Sequence, residues 1–226
     1  EKGSLRGHSI GNLVIASAVR QTGGLMEGIN EVRRILGIKS EIMPVALENA
    51  TIKVLLKSGK KISGEEKIIN SFLPPGGIKN IFLMPKVRAN PEVISAIKKA
   101  DLIIIAPGKF YTSILPNFLV KGLTEAFRRS SAKKVFVCDL MTQPGNTDRF
   151  KVENFIEEFE RYAGKGIIDC IIFNTGKLSS AKLEEIKKIF PKMDFVKYNK
   201  EILKKSNYIG ADVLDRNIRE LNPADI

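Results

Sequence analysis

The chain has one histidine, two cysteines and no tryptophan among its 226 residues. A single imidazole, His8, excludes metal centres that need two or more histidines. Cys138 and Cys170 lie far apart and neither has a CxxC partner. A disulfide scaffold or structural zinc site is therefore not expected, and a reducing compartment is. No apolar run approaches the ~20 residues of a membrane helix. Glu1-Lys2-Gly3 lacks the apolar core of a signal peptide. There is also no initiating methionine, so Glu1 is not expected to mark the start of translation. Repeats, low-complexity tracts and an interdomain linker are all missing.

What is present describes a globular protein. Hydrophobic residues make up 43% and charged residues 27%, an ordinary folded composition. At about 150 residues per domain the length fits one large domain or two small ones. Without a linker, one domain over residues 1–226 is the simpler expectation. A core of this size buries roughly 70% of the unfolded surface without staples. The unusual number is the net charge of +12, which points to anionic partners. Arg128-Arg129 and Lys187-Lys188 fall on predicted helix faces, and the aromatics are not interleaved with basic residues. Nucleic acid is accordingly not the expected partner.

Strand-length apolar runs alternate with helical spacing. Leu102–Ile105, Val135–Cys138 and Ile167–Phe173 read as strands buried on both faces, as in parallel sheets. Between and after them, 113–129 carries Leu115, Leu119, Leu123 and Phe127 at four-residue spacing, and 152–163 and 181–190 have their own helical patterns. This order predicts an α/β, Rossmann-like three-layer fold built from right-handed βαβ units around a mainly parallel sheet. Before it, 10–20 and 25–36 read as helices split by Gly23-Gly24. Residues 51–62 read as a hairpin turning at Ser58-Gly59, and Lys79–Met84 as another strand. Residues 40–70 are thus expected to form a small antiparallel excursion from the main sheet.

Ligands of open α/β sheets bind outside the carboxyl ends of the strands, which draws attention to three glycine-containing loops. In Gly7-His8-Ser9-Ile10-Gly11-Asn12, Ser9 suits a helix N-cap and the first-turn amides suit an anion, with His8 a possible donor. A capped helix start with a structural histidine fits equally. Pro107-Gly108-Lys109-Phe110-Tyr111-Thr112-Ser113 follows a strand and is neither a Walker loop nor GxGxxG. It suits close backbone approach to a phosphate, or simply a tight strand-to-helix turn. The third loop runs from Asp139 to Thr147. It is long for its place, and Asp139, Thr142, Gln143 and Asn146 offer donors and acceptors suited to a base or sugar, or to Asx-type turns. The two cysteines read as core thiols. No catalytic pair or metal-ligand set emerges.

Together "GHSIGNL", "APGKFYTSILPNFLV" and "VFVCDLMTQPGNT" resemble the signature segments of the CofD-like superfamily, closest to its gluconeogenesis-factor (YvcK-type) branch. The match runs from about Ser4 to Asn174. The resemblance implies a Rossmann-like domain binding a nucleotide-containing ligand at the strand carboxyl ends, in this branch UDP-N-acetylglucosamine. It implies a cytoplasmic, homodimeric regulator that links gluconeogenic carbon metabolism to cell-wall precursor supply and cell shape. A protein partner in precursor synthesis and no required cofactor are further expectations. The superfamily alternative is a transferase that passes 2-phospho-L-lactate to a deazaflavin acceptor.

By the same resemblance, the ligand-binding positions are His8, Ser9, Gly11 and Asn12; Gly108, Lys109, Tyr111, Thr112, Ser113 and Asn117; and Thr142, Gln143 and Gly145. Met141, Pro144 and Thr147 also match. In "ADVLDRNIREL", Arg219 matches a sugar-nucleotide-binding arginine, with Arg216 the alternative. The chain departs from the family at Lys109 (Ser in the family), Asp139 (Asn) and Asn146 (Glu), and the family's tyrosine from the last stretch has no counterpart. The family's GGGTG-like and DDGG-like opening segments are also not in this sequence. The chain is therefore expected to be the C-terminal two-thirds of a longer domain, or to take that part from a partner chain.

Overall fold

The computed structural model describes residues 9–71 and 77–214. Ser9 caps the first helix, α1 (Ile10–Thr22), by accepting the Asn12 amide at 3.2 Å. Helix α2 (Leu25–Ile35) folds back against it. The two backbones touch at Gly28, where an added Cβ would lie 2.6 Å from the Val19 backbone. Apart from Ala18, α1 buries little. Ile10 is 80% exposed, and Val14 and Ile15 are also exposed.

Strands β1 (Thr51–Leu56), β2 (Lys61–Ser63) and β3 (Ile78–Met84) form an antiparallel sheet in the order β2-β1-β3. The expected hairpin is present. The excursion, however, extends past residue 70 to take in β3, and it is a separate sheet rather than a branch of the main one. Its inner row of Ile52, Val54, Leu56, Ile62, Ile78 and Ile81 enters the main core, with Ile68 of the short helix α3 (Glu65–Ile69).

Helix α4 (Pro91–Lys99), capped by Asn90, leads into the parallel sheet. Strands β4 (Leu102–Ile105), β5 (Lys133–Val137), β6 (Cys170–Asn174) and β7 (Tyr208–Ala211) pair in sequence order, all parallel. The apolar run that starts at Ile167 enters the ladder only at Cys170. A π-helical turn, Phe110–Ile114, precedes α5 (Leu115–Phe118) and α6 (Leu123–Arg129). The single helix expected over 113–129 is therefore divided. The Lys121 amide donates to Val87 at 3.0 Å and its carbonyl accepts from Ala89. This pairing pulls the chain out of the helix, and Gly122 turns it back at φ +94°.

Helix α7 (Val152–Ala163) joins β5 to β6, and α8 (Ser180–Ile189) joins β6 to β7 through a 3₁₀ turn at Lys200–Lys204. Phe118 stacks edge-on against Phe127 and Phe159, and Phe159 also meets Phe136. Helices α5, α6 and α7 thus share one face of the sheet. The opposite face carries Leu102, Ile104 and Ile209, which are 52%, 57% and 49% exposed.

The edge of β3 is occupied by α7. Arg161 donates Nη1 to the Lys79 carbonyl at 2.9 Å, and the backbone of Ile81 engages the Tyr162 hydroxyl. Capping an edge in this way blocks further strand addition. Among the described residues no helix is long and apolar enough to cross a membrane.

Gly28→Ala should force α1 and α2 apart at a cost of roughly 1–3 kcal/mol. Hydrogen exchange should accelerate over residues 10–35 and stay unchanged in β4–β7, because these two helices rest chiefly on each other.

Candidate functional site

Adjacent parallel strands deliver their following loops side by side, and β4 and β5 do so here. The loop after β4 runs through Ala106-Pro107-Gly108-Lys109. The Lys109 carbonyl then accepts the amides of Thr112, Ser113 and Ile114 at 3.2, 2.7 and 3.2 Å. Such π-type turns recur at functional positions. Gly108 is not required by packing, since an added Cβ would make only ordinary contacts at 3.7 Å or more.

The loop after β5 opens with Asp139, whose Oδ1 accepts the Gly108 amide at 3.0 Å. This bond joins the second and third sequence motifs. Burial pushes the Asp139 carboxyl up to about 6, opposed only by that amide. Cys138 beside it is buried, and both burial and the neighbouring Asp139 charge raise its thiol. Cys170 is partly buried at the start of β6.

The rest of the loop is held internally. The Thr142 amide donates to the Asp194 carbonyl at 2.7 Å, and its hydroxyl accepts the Asp194 amide at 3.2 Å. Buried Thr147 takes the Gln143 amide on its hydroxyl at 2.7 Å. Met141 bridges to Phe195, and Gly145 turns at φ +75°. Asn146 donates Nδ2 to Pro144 and Ile69 carbonyls, tying the loop to α3, while its buried Oδ1 finds no partner.

The second motif divides by role. The Thr112 hydroxyl oxygen is buried without a hydrogen-bond partner. Such an arrangement costs about 1–3 kcal/mol unless something else satisfies it. Ser113 is exposed, and Lys109 lies 4.0 Å from Glu65 with both side chains about half exposed. Asn117 turns its Nδ2 back to the Ser113 and Ile114 carbonyls at 2.8 and 3.2 Å. Tyr111 faces elsewhere: it is buried and donates its hydroxyl to Glu158 of α7 at 3.3 Å. Burial, reinforced by Glu158, raises the phenol well above its usual range.

Beside the loop after β4 an apolar cleft of about 360 Å³ is lined by Ile103, Ile105, Gly108, Ser113, Asn117 and Phe127 among others, with no residue of the loop after β5 in its wall. The first motif stands apart. Ser9, Gly11 and Asn12 are exposed at the start of α1, and no hydrogen bond or ion pair among the described residues joins them to the other loops. His8, Arg216 and Arg219 lie outside the described residues.

Asn174 was not singled out by sequence, yet it closes the carboxyl end of β6. Its Oδ1 accepts the Gly176 amide at 3.0 Å and the Val213 amide at 3.4 Å, joining the loops after β6 and β7. Its only signal was an asparagine directly after an apolar strand, a common turn residue. Among the described residues no group of three or more histidine, cysteine or acidic side chains is placed to hold a metal ion.

Comparison with known proteins fits this picture. The family model described as 2-phospho-L-lactate transferase CofD matches residues 1–218. A putative gluconeogenesis factor of Thermotoga maritima is 39% identical over 200 residues, covering 88% of this chain and 62% of the relative. The gluconeogenesis factor of Bacillus subtilis is 37% identical over 174 residues, covering 76% and 53%. The chain thus spans a little over half the length of these curated relatives. A crystal structure of a Bacillus halodurans protein superposes with a TM-score of 0.82 at 32% identity, covering 94% of this chain and 68% of that one. A second structure of that protein, described as a member of the UPF0052 family, gives 0.83 at 33%. With three motifs, a parallel sheet and these relatives in agreement, the chain belongs to the CofD family and groups with its gluconeogenesis factors.

Proposed function

We propose that this chain is the ligand-binding part of a cytoplasmic regulator that senses a nucleotide sugar of the UDP-N-acetylglucosamine type. In this reading it couples gluconeogenic carbon flow to cell-wall precursor supply and cell shape. The observation that carries the reading is the junction of Gly108 and Asp139 at the carboxyl ends of β4 and β5, with the unpartnered Thr112 hydroxyl in the same loop. Polar backbone and hydroxyl groups beside an apolar cleft suit a ligand with a charged and a neutral half. The cleft volume of about 360 Å³ falls in the usual range for small-molecule sites, about 300–1,000 Å³. The relatives' name, gluconeogenesis factor, supports regulation of carbon metabolism over the transferase activity in the family description.

In this reading Thr112, Ser113, Gln143 and the Gly108 amide meet the ligand. Asn117, Thr142 and Thr147 hold the loops that present them. Ser9 and Asn12 would contribute from α1, and Lys109 would swing from Glu65 toward a phosphate.

Specific binding must stabilise the folded state, by about 2.7 kcal/mol at a ligand concentration of 100 Kd. A thermal-shift titration with UDP-N-acetylglucosamine should therefore raise the melting temperature in a saturable way. No shift at millimolar ligand would remove the proposal.

Thr112→Val should weaken that binding about fivefold or more while leaving the melting temperature equal or slightly higher, because valine leaves no unpaired hydroxyl. Unchanged affinity with a lowered melting temperature would make Thr112 purely structural.

A further inference from the structure

We propose that Asp139 is a built-in occupant of the anion position at the β4 loop, holding the Gly108 amide that an incoming phosphate would use and so setting a threshold for anion entry. The inference rests on the nucleotide-sugar reading and adds regulation to its site.

The contact is not a local turn. Asp139 and Gly108 follow different strands, and the bond spans 31 positions of sequence at 3.0 Å. One N–H cannot fully serve two acceptors, so a phosphate oxygen at this amide must displace the carboxylate or share with it. Nothing nearby cancels the carboxylate's charge. Asp139 takes part in no salt bridge among the described residues, and Lys109, next to Gly108, lies against Glu65 of α3 instead. Cys138, between β5 and Asp139, is held neutral by burial, and Glu153 of α7 adds a second negative influence there. An anion arriving at the β4 loop therefore meets an occupied donor and an uncompensated like charge.

Protonation reverses both effects. A neutral carboxyl accepts more weakly from Gly108 and gains an O–H that can donate to a phosphate oxygen. Burial already brings Asp139 to about 6, so mild acid is enough to open the position. The same half-buried group thus repels an anion when ionised and can bind one when neutral.

Asp139→Asn separates charge from shape, because its amide oxygen still accepts from Gly108. Titration calorimetry would compare the two proteins, with UDP-N-acetylglucosamine at pH 7.5 and 5.5 and with inorganic pyrophosphate at pH 7.5. At pH 7.5 the variant should bind UDP-N-acetylglucosamine about tenfold or more tightly than the unaltered chain. The unaltered chain should gain a similar factor on acidification, as the competent protonated fraction rises. The variant should change less than about threefold, and because it retains His8 it controls for that residue's titration.

Equal affinities at pH 7.5, or weaker binding by the variant, would overturn the inference and leave the nucleotide-sugar reading standing. If UDP-N-acetylglucosamine binds neither protein at either pH, that reading falls instead, and pyrophosphate decides the inference alone. Tighter pyrophosphate binding by the variant supports it, and equal binding ends it.

Discussion

Every crossover in the parallel sheet moves one step in the same direction, and the rest of the molecule follows from that constraint. Strands β4 to β7 pair in the order of the chain. Right-handed connections between neighbouring parallel strands place their helices on one side, and α5, α6 and α7 meet there through Phe118, Phe127, Phe136 and Phe159. The same winding delivers successive loops side by side at the carboxyl ends. Gly108 and Asp139, remote in sequence, become hydrogen-bonded neighbours as a result.

Much of this was legible in the sequence for identifiable reasons. Continuous apolar runs marked β4, β5 and β6, but the burial on both faces that such runs suggest is not found, since Leu102 and Ile104 lie exposed on the face that no helix covers among the described residues. Ser9 and the Gly23-Gly24 pair bounded α1 and α2. The division between α5 and α6 was not legible, because Leu115, Leu119, Leu123 and Phe127 keep helical spacing across it. The cause lies in backbone bonds from Lys121 to Val87 and Ala89, which no local pattern encodes. Helix α4 went unread although Asn90-Pro91 is an ordinary helix start, and β7 is a short segment with little apolar contrast.

The candidate site was legible as three loops but not as an arrangement. Glycines, hydroxyls and amides announced segments able to bind something. Which of those groups the protein spends on itself depends on distant partners. Thr142 is committed to Asp194, Thr147 to Gln143, and Tyr111 to Glu158. The second and third loops are bonded to each other, and among the described residues no hydrogen bond joins the start of α1 to either. Thr112 and Asn146 each keep a buried oxygen unpartnered, a distinction visible only once the chain is folded.

Arg161 sits where three parts of the structure converge. Its guanidinium reaches the Lys79 carbonyl of β3, the Glu158 carboxylate and the Tyr162 hydroxyl, while Glu158 also receives Tyr111 from the turn after β4. The antiparallel sheet, α7 and the candidate ligand loop are therefore joined through one planar cation, over a hydrophobic core they already share. The two sheets are separate as ladders but tied by this polar chain. From the turn after β4 a short run of hydrogen bonds, through Glu158 and Arg161, ends on the β3 edge of the other sheet.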